Sequence, residues 1–137
     1  MNDSIQTYSS YFFIKTKKKN LAKEYLDNLD TKIWLKTINQ MKLLEIYGID
    51  TDKVSIKKFQ NNIWKIRTKD AFNNVRLFFY IIDNSVYYLY GFNKTTQKTP
   101  EGKKVIINNL KSKLLSVHKN SNFADYILKI DWEKYCK

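Results

Sequence analysis

Apolar residues recur along the chain with two different periods, and the change between them falls near residue 56. Tyr11-Phe12-Phe13-Ile14 is a short apolar run that predicts a strand, and the KTKKKN stretch after it reads as a solvated turn. Over 21–29, Leu21, Tyr25 and Leu29 stand four residues apart and predict a short helix. A second helix is expected after it, N-capped by Asp30, with Ile33, Trp34, Ile38, Met41 and Leu44 or Glu45 at helical spacing. Gly48 stands where a glycine would close that helix. The pair forms a hairpin whose apolar stripe should cover a sheet.

From residue 56 the period is two. Residues 56–59, 63–69, 75–82 and 85–92 read as four strands joined by Asn61-Asn62, 70–74 and Asp83-Asn84. Asn and Asp tolerate the positive φ of tight hairpin turns, so an antiparallel meander is expected. Thr99 is placed to cap a last long helix, with Pro100 at its first position and Glu101 complementing its dipole. Ile106, Leu110, Leu114 and Val117 give that helix one apolar side. After the HKNSN break, 123–135 reads as a further short helix. The fold class expected is α+β, in one domain over 1–137 with its core at about 11–117 and a helical extension at 118–137. In that architecture a short N-terminal strand and the helical hairpin pack on a four-stranded antiparallel sheet, followed by one or two C-terminal helices.

Composition adds a strong bias to this frame. The 137 residues carry a formal charge of +12, and 43% are hydrophobic, which excludes general disorder. No stretch approaches the length of a membrane span, and the first residues lack the basic-then-apolar order of a secretory signal. Cys136 is the only cysteine, so no disulfide framework is expected. The expectation is a cytoplasmic protein with no membrane partner. Residues 53–119 hold fourteen basic side chains against three acidic ones, Asp70, Asp83 and Glu101, whereas the segments before and after are nearly balanced. Such a field draws polyanions. Of the 25 basic residues only Arg67 and Arg76 are arginine, in a composition rich in Ile and Asn of the kind AT-rich coding produces. Arginine kept against that drift points to a place where a planar fork grips phosphate.

His118 is the only histidine, which excludes a two-histidine nuclease, and it falls in a stretch expected to be plain surface. No HExxH, P-loop or GxGxxG occurs. No metal or other cofactor is expected. Strand alternation puts Lys65, Arg67 and Lys69 on one face, with Trp64 and Ile66 turned toward the helices. On the next strand Arg76 alternates with Phe78 and Tyr80, and the fourth offers Val86, Tyr88, Tyr90 and Phe92 on one side. The loop after it, 93–100, is rich in donors. A cationic sheet face with interleaved aromatics suits single-stranded RNA.

The stretch IWKIRTKDAFNNVRLFFYIIDNSVYYLYGFNKTTQKTP resembles the RelE/HigB superfamily of type II toxins, especially the HigB-like group of phage-derived toxins. Trp64–Arg67, Arg76–Phe78 and the Gly91–Pro100 run ending in TQKTP carry the resemblance, in order and spacing. It implies a ribosome-associated mRNA interferase held inactive by a HigA-like helix-turn-helix antitoxin in a toxin–antitoxin hetero-oligomer. Carried over by position, Lys65, Arg67 and Arg76 match the family's basic strand residues, and Lys94, Gln97 and Lys98 fall in the loop beside its RNA site. Where many relatives read His-Gly-Phe this chain reads Tyr90-Gly91-Phe92; Thr95 replaces a common Lys and Lys103 a common Glu.

The reaction expected is attack of the ribose 2′-OH on the adjacent phosphate, without metal. Arg76 and Arg67 would clamp the phosphate, and Lys65 or Tyr90 would move protons. Lys69, Lys94, Gln97, Lys98 and Phe92 would hold the RNA. ParE-type relatives that poison DNA gyrase, and a non-catalytic RNA-binding module, are the competing readings.

Overall fold

A computed structural model describes residues 8–16, 19–60, 62–95 and 98–135. Asn20 starts the first helix, α1 (Leu21–Asp27), its side chain accepting a hydrogen bond from Lys23 N at 3.3 Å. The face α1 buries is centred on Ala22 and Leu26, one position on from the Leu21–Tyr25–Leu29 row. A second helix, α2 (Thr31–Tyr47), begins after extended Asp30, whose side chain makes no cap bond, and ends at Gly48, where φ is +72°. Its buried stripe is the expected one with Thr37 added, and Thr37 Oγ1 bonds both Ile33 O (2.9 Å) and Thr68 Oγ1 (2.7 Å).

The antiparallel meander is present as β2 (Ile56–Gln60), β3 (Ile63–Lys69), β4 (Asn74–Ile82) and β5 (Ser85–Asn93), with positive φ at Asn62 and Asp83 in its turns. Among the described residues, however, the sheet has six strands and is mixed. The N-terminal strand β1 (Ser9–Phe13) lies parallel to β5, and β6 (Ile127–Lys129) runs antiparallel to β1, giving the order β2-β3-β4-β5-β1-β6. This corrects the four-stranded expectation, and with it the C-terminal helix. Residues Phe123–Tyr126 form one 3₁₀ turn, after which the chain becomes a strand. The free edge of β1 decides this, because its backbone groups need partners. Beyond the ladder itself, Ile14 N bonds Tyr126 O at 2.7 Å and Ile130 N bonds Ser10 O at 2.9 Å.

The third helix, α3 (Glu101–Val117), has Pro100 at its cap position, one residue later than the Thr99 cap expected. The α1–α2 hairpin covers one face of the sheet over Phe12, Ile66, Leu77, Phe79, Val86 and Tyr88. On the other face α3 lays Leu110, Leu114 and Val117 on Phe13, Tyr87 and Leu89, and Ile107 on Ile63, Phe78 and Phe92. His118 is not plain surface: its ring stands edge-on to Phe123 (5.0 Å) and Tyr87 (6.4 Å). Among the described residues no helix is long and apolar enough to cross a membrane.

One irregularity in β5 rearranges its faces. Phe79 pairs with Tyr88 but Phe78 pairs with Tyr90, so Leu89 is an extra residue, a β-bulge. Val86 and Tyr88 therefore pack under the hairpin, while Leu89, Tyr90 and Phe92 all turn to the α3 side. The expectation that Val86, Tyr88, Tyr90 and Phe92 share one side is corrected by this single residue. Gly91 then faces the hairpin, and a Cβ there would run into the Tyr25 ring.

Candidate nucleic-acid interface

Next to Ile107 of α3, the sheet face on that side is laid out in rows by strand register. Lys57, Lys65, Phe78 and Tyr90 are successive Cα partners across β2, β3, β4 and β5. In the next row on this face stand Arg67, Arg76 and Phe92. Neighbouring strands are about 4.8 Å apart, so Lys65 and Tyr90 flank the Phe78 ring with about 10 Å between their backbones.

Lys65 is only 6% exposed. Its Nζ lies 5.7 Å from the centre of the Phe78 ring and 6.0 Å from that of Phe59. Burial, and then the fields of Lys94, Arg76, Lys57 and Arg67, pull its amine down to about 8. Hydrophobic walls on one side and cations on the other both disfavour the ammonium form.

Arg67 and Arg76 face each other directly across the β3–β4 ladder. Like charges so placed repel. The ion pairs found among the described residues lie elsewhere, Lys23 with Asp27 and Lys104 with Glu101. Arg76 Nη1 donates to Asn74 Oδ1 at 2.6 Å and to Val75 O at 2.9 Å, which fixes the guanidinium against its own strand. The Nε of each arginine is buried without a hydrogen-bond partner among the described residues. Burial, then Arg67, hold Arg76 below the usual guanidinium range, against an opposing effect of Tyr25. Donors arranged this way suit an anion with several acceptor oxygens. They line a cleft of about 200 Å³ with Ser55, Thr68, Lys69 and Asn74. Larger hollows beside Glu45 and Trp132 (about 610 Å³) and beside Ile14 and Tyr126 (about 430 Å³) bring no arginine to their walls.

Of the other residues expected at the site, Lys94 joins the cluster. Its backbone N donates to Asn74 O at 2.7 Å, and its amine is pulled down by burial and then by Arg76, Lys57 and Arg67. Lys69 is exposed at the cleft's rim. Tyr90 accepts a hydrogen bond on its hydroxyl from Lys103 Nζ at 3.0 Å. Phe92 is buried, stacked on Phe78 at 5.7 Å and 9°, and so forms floor rather than an open ring. Lys98 is exposed, three residues before α3, and Gln97 lies outside the described residues. Sequence reasoning missed Lys57 and treated Lys103 only as a departure from a family pattern. Lys57 could have been found by pairing the 56–69 hairpin; Lys103 depends on how α3 docks, which no local spacing encodes. The three acids of the basic segment stay out of the cluster: Asp70 and Asp83 hold turns and Glu101 pairs with Lys104. Among the described residues no three His, Cys, Asp or Glu side chains gather as a metal site.

A model of the Gp49-like family of phage-derived proteins matches residues 24–112, about two thirds of the chain. The chain belongs to this family. The match runs from α1 into α3 and contains both rows of the cationic face. Gp49-like proteins are toxin-like and associated with toxin–antitoxin systems, a setting that an antitoxin partner fits. No curated protein matches the sequence of this Gp49-like chain.

Proposed function

We propose that this Gp49-like protein is the toxin of a type II toxin–antitoxin pair and an mRNA interferase of the RelE/HigB kind, cleaving ribosome-associated mRNA without a metal ion. The observation that carries the reading is Lys65 beside the Arg67–Arg76 pair. With its amine at about 8, about a tenth of Lys65 is unprotonated at pH 7, against about 0.04% of an ordinary lysine. A base is thus poised next to two phosphate-binding forks that no carboxylate among the described residues neutralises.

In the proposed reaction Lys65 Nζ takes the proton of the ribose 2′-OH as the 2′-oxygen attacks phosphorus. Arg67 and Arg76 hold the non-bridging oxygens and offset the negative charge that builds on them. The bond to the 5′-oxygen breaks, and that oxygen receives a proton from the Tyr90 hydroxyl. Lys103 occupies a lone pair of Tyr90 Oη, which leaves the phenol O–H free to point at the leaving group. The products are a 2′,3′-cyclic phosphate and a 5′-hydroxyl. A HigA-like antitoxin would cover this basic face with an acidic or helical segment, in a complex that salt weakens.

The test is to add the protein to ribosomes translating a defined message and to map new 5′ ends. Cuts with 5′-hydroxyl ends are expected, and Arg76→Ala should lower their rate by about 100-fold or more and relieve growth arrest at equal expression. Full toxicity of Arg76→Ala would remove Arg76 from the mechanism. Growth arrest with intact messages and trapped gyrase–DNA complexes would replace the nuclease reading altogether.

A further inference from the structure

Phe72 is 93% exposed, far more than any other large apolar side chain described. Isolated surface apolar residues are ordinary, but the backbone beneath this one is unusually well fixed. Asp70 Oδ1 accepts hydrogen bonds from Phe72 N (2.9 Å), Asn73 N (2.8 Å) and Asn73 Nδ2 (3.2 Å), and Asp70 N donates to Asn73 O at 3.0 Å. These bonds, that from Phe72 N foremost, hold the Asp70 carboxyl below its usual range. Both feet of the turn are tied to the body of the protein. Lys36 Nζ of α2 donates to Lys69 O at 3.1 Å, and Lys94 N donates to Asn74 O at 2.7 Å. The feet, Lys69 and Asn74, also line the cleft of Arg67 and Arg76. Two residue steps, about 7 Å of ribbon, separate them from the arginine pair.

We infer that Phe72 is a nucleobase platform: RNA whose phosphate sits between Arg67 and Arg76 lays a neighbouring base on the Phe72 ring. This rests on the RNA-binding reading above and adds a second subsite to it. An aromatic ring on a turn whose feet line the cleft of Arg67 and Arg76, one foot being held by Lys36, suits a partner that brings anionic charge and flat apolar faces together, and single-stranded RNA has both at each nucleotide. The turn is already ordered, so stacking costs little further backbone entropy. Because every base has a π-face, such a platform sets where the strand lies rather than which letter is read.

The test uses the full chain and a fluorescent 2′-O-methyl oligoribonucleotide, which keeps bases and phosphates but lacks the nucleophile. Phe72→Ala should weaken binding about 5- to 150-fold, the range of one lost base–aromatic stack. Phe72→Tyr should bind like the native chain, and Phe72→Leu, similar in bulk but without a π-face, should bind like Phe72→Ala. The salt slope of binding should be unchanged in Phe72→Ala and shallower in Arg76→Ala. A single abasic position at the stacked nucleotide should remove the difference between native and Phe72→Ala. Equal affinity of native, Ala and Leu variants overturns the platform, and a simultaneous loss in Arg76→Ala shows that the RNA reading itself survives. No RNA binding by the native chain overturns both. Loss of antitoxin affinity with RNA affinity kept assigns Phe72 to a protein contact and also overturns it.

Discussion

Replacing Lys65 by Met should make the protein more stable while removing its chemistry. Methionine keeps an unbranched apolar stem between Phe59 and Phe78 and carries no charge into the field of Arg67, Arg76, Lys57 and Lys94. Lowering the amine from 10.5 to about 8 corresponds to about 3 kcal/mol of folding free energy lost at pH 7. Solvent and salt at the open side of the cleft screen part of this. The two lost cation–π contacts offset about 0.5–1 kcal/mol each. A net gain of about 1–2 kcal/mol remains, or about 3–10 °C in Tm. The sign with pH is fixed by linkage. Between pH 8 and 10.5 the unfolded chain holds a proton on Lys65 that the folded chain has released, so native stability rises relative to the variant as pH rises. Between pH 7 and 9.5 about 2 kcal/mol of that cost is relieved, so the advantage of Lys65→Met should largely vanish. Urea denaturation of both proteins at the two pH values measures this directly. A variant less stable than native at pH 7, or a difference that ignores pH, would refute the account of Lys65. RNA cleavage by Lys65→Met should fall about 100-fold or more.

The native cleavage rate should climb about tenfold per pH unit toward a limb centred near 8, because the reactive form of Lys65 is the free amine. Lys94→Gln, which removes a charge that lowers that amine, should move the limb to higher pH in a stopped-time cleavage assay. Gly91→Ala would set a Cβ 2.8 Å from Tyr25 Cε2 and 3.1 Å from Cγ, and closer still to Cδ2. It should cost about 1–3 kcal/mol in urea denaturation, and most of that cost should vanish in a Tyr25→Ala background. Trp132→Phe removes the 2.9 Å hydrogen bond from the indole to buried Glu45. It should cost about 1–3 kcal/mol, and a neutral effect would show that this bond does not anchor the tail.

Local patterns were enough to read the parts of this fold that are locally determined. The alternation Lys65–Arg67 against Trp64–Ile66 depends only on strand pleating, and the Asn and Asp turns follow from positive φ, so the meander and its basic face were visible in the sequence. Residues 123–130 show why the tail was not: Phe123, Ile127 and Ile130 fit helical spacing, yet the open edge of β1, more than a hundred residues away, offers backbone partners that a helix cannot use. The bulge at Leu89 was hidden for another reason. Tyr87, Tyr88, Leu89 and Tyr90 are all apolar enough for either face, so a skipped count leaves no trace in the pattern. Lys103 and Lys57 became site neighbours only once α3 and β2 were docked.

The extra residue in β5 also determines how this chain can vary. Substitutions on the face change one group at a time and so grade its activity. Loss of one residue between Tyr88 and Tyr90 would instead restore regular alternation and invert the end of the strand in a single step. Tyr90 and Phe92 would turn under the hairpin, and Gly91, with nothing to offer, would take their place beside the arginines. The face is specified by counting as much as by chemistry, so length in β5 should drift far less freely than letter.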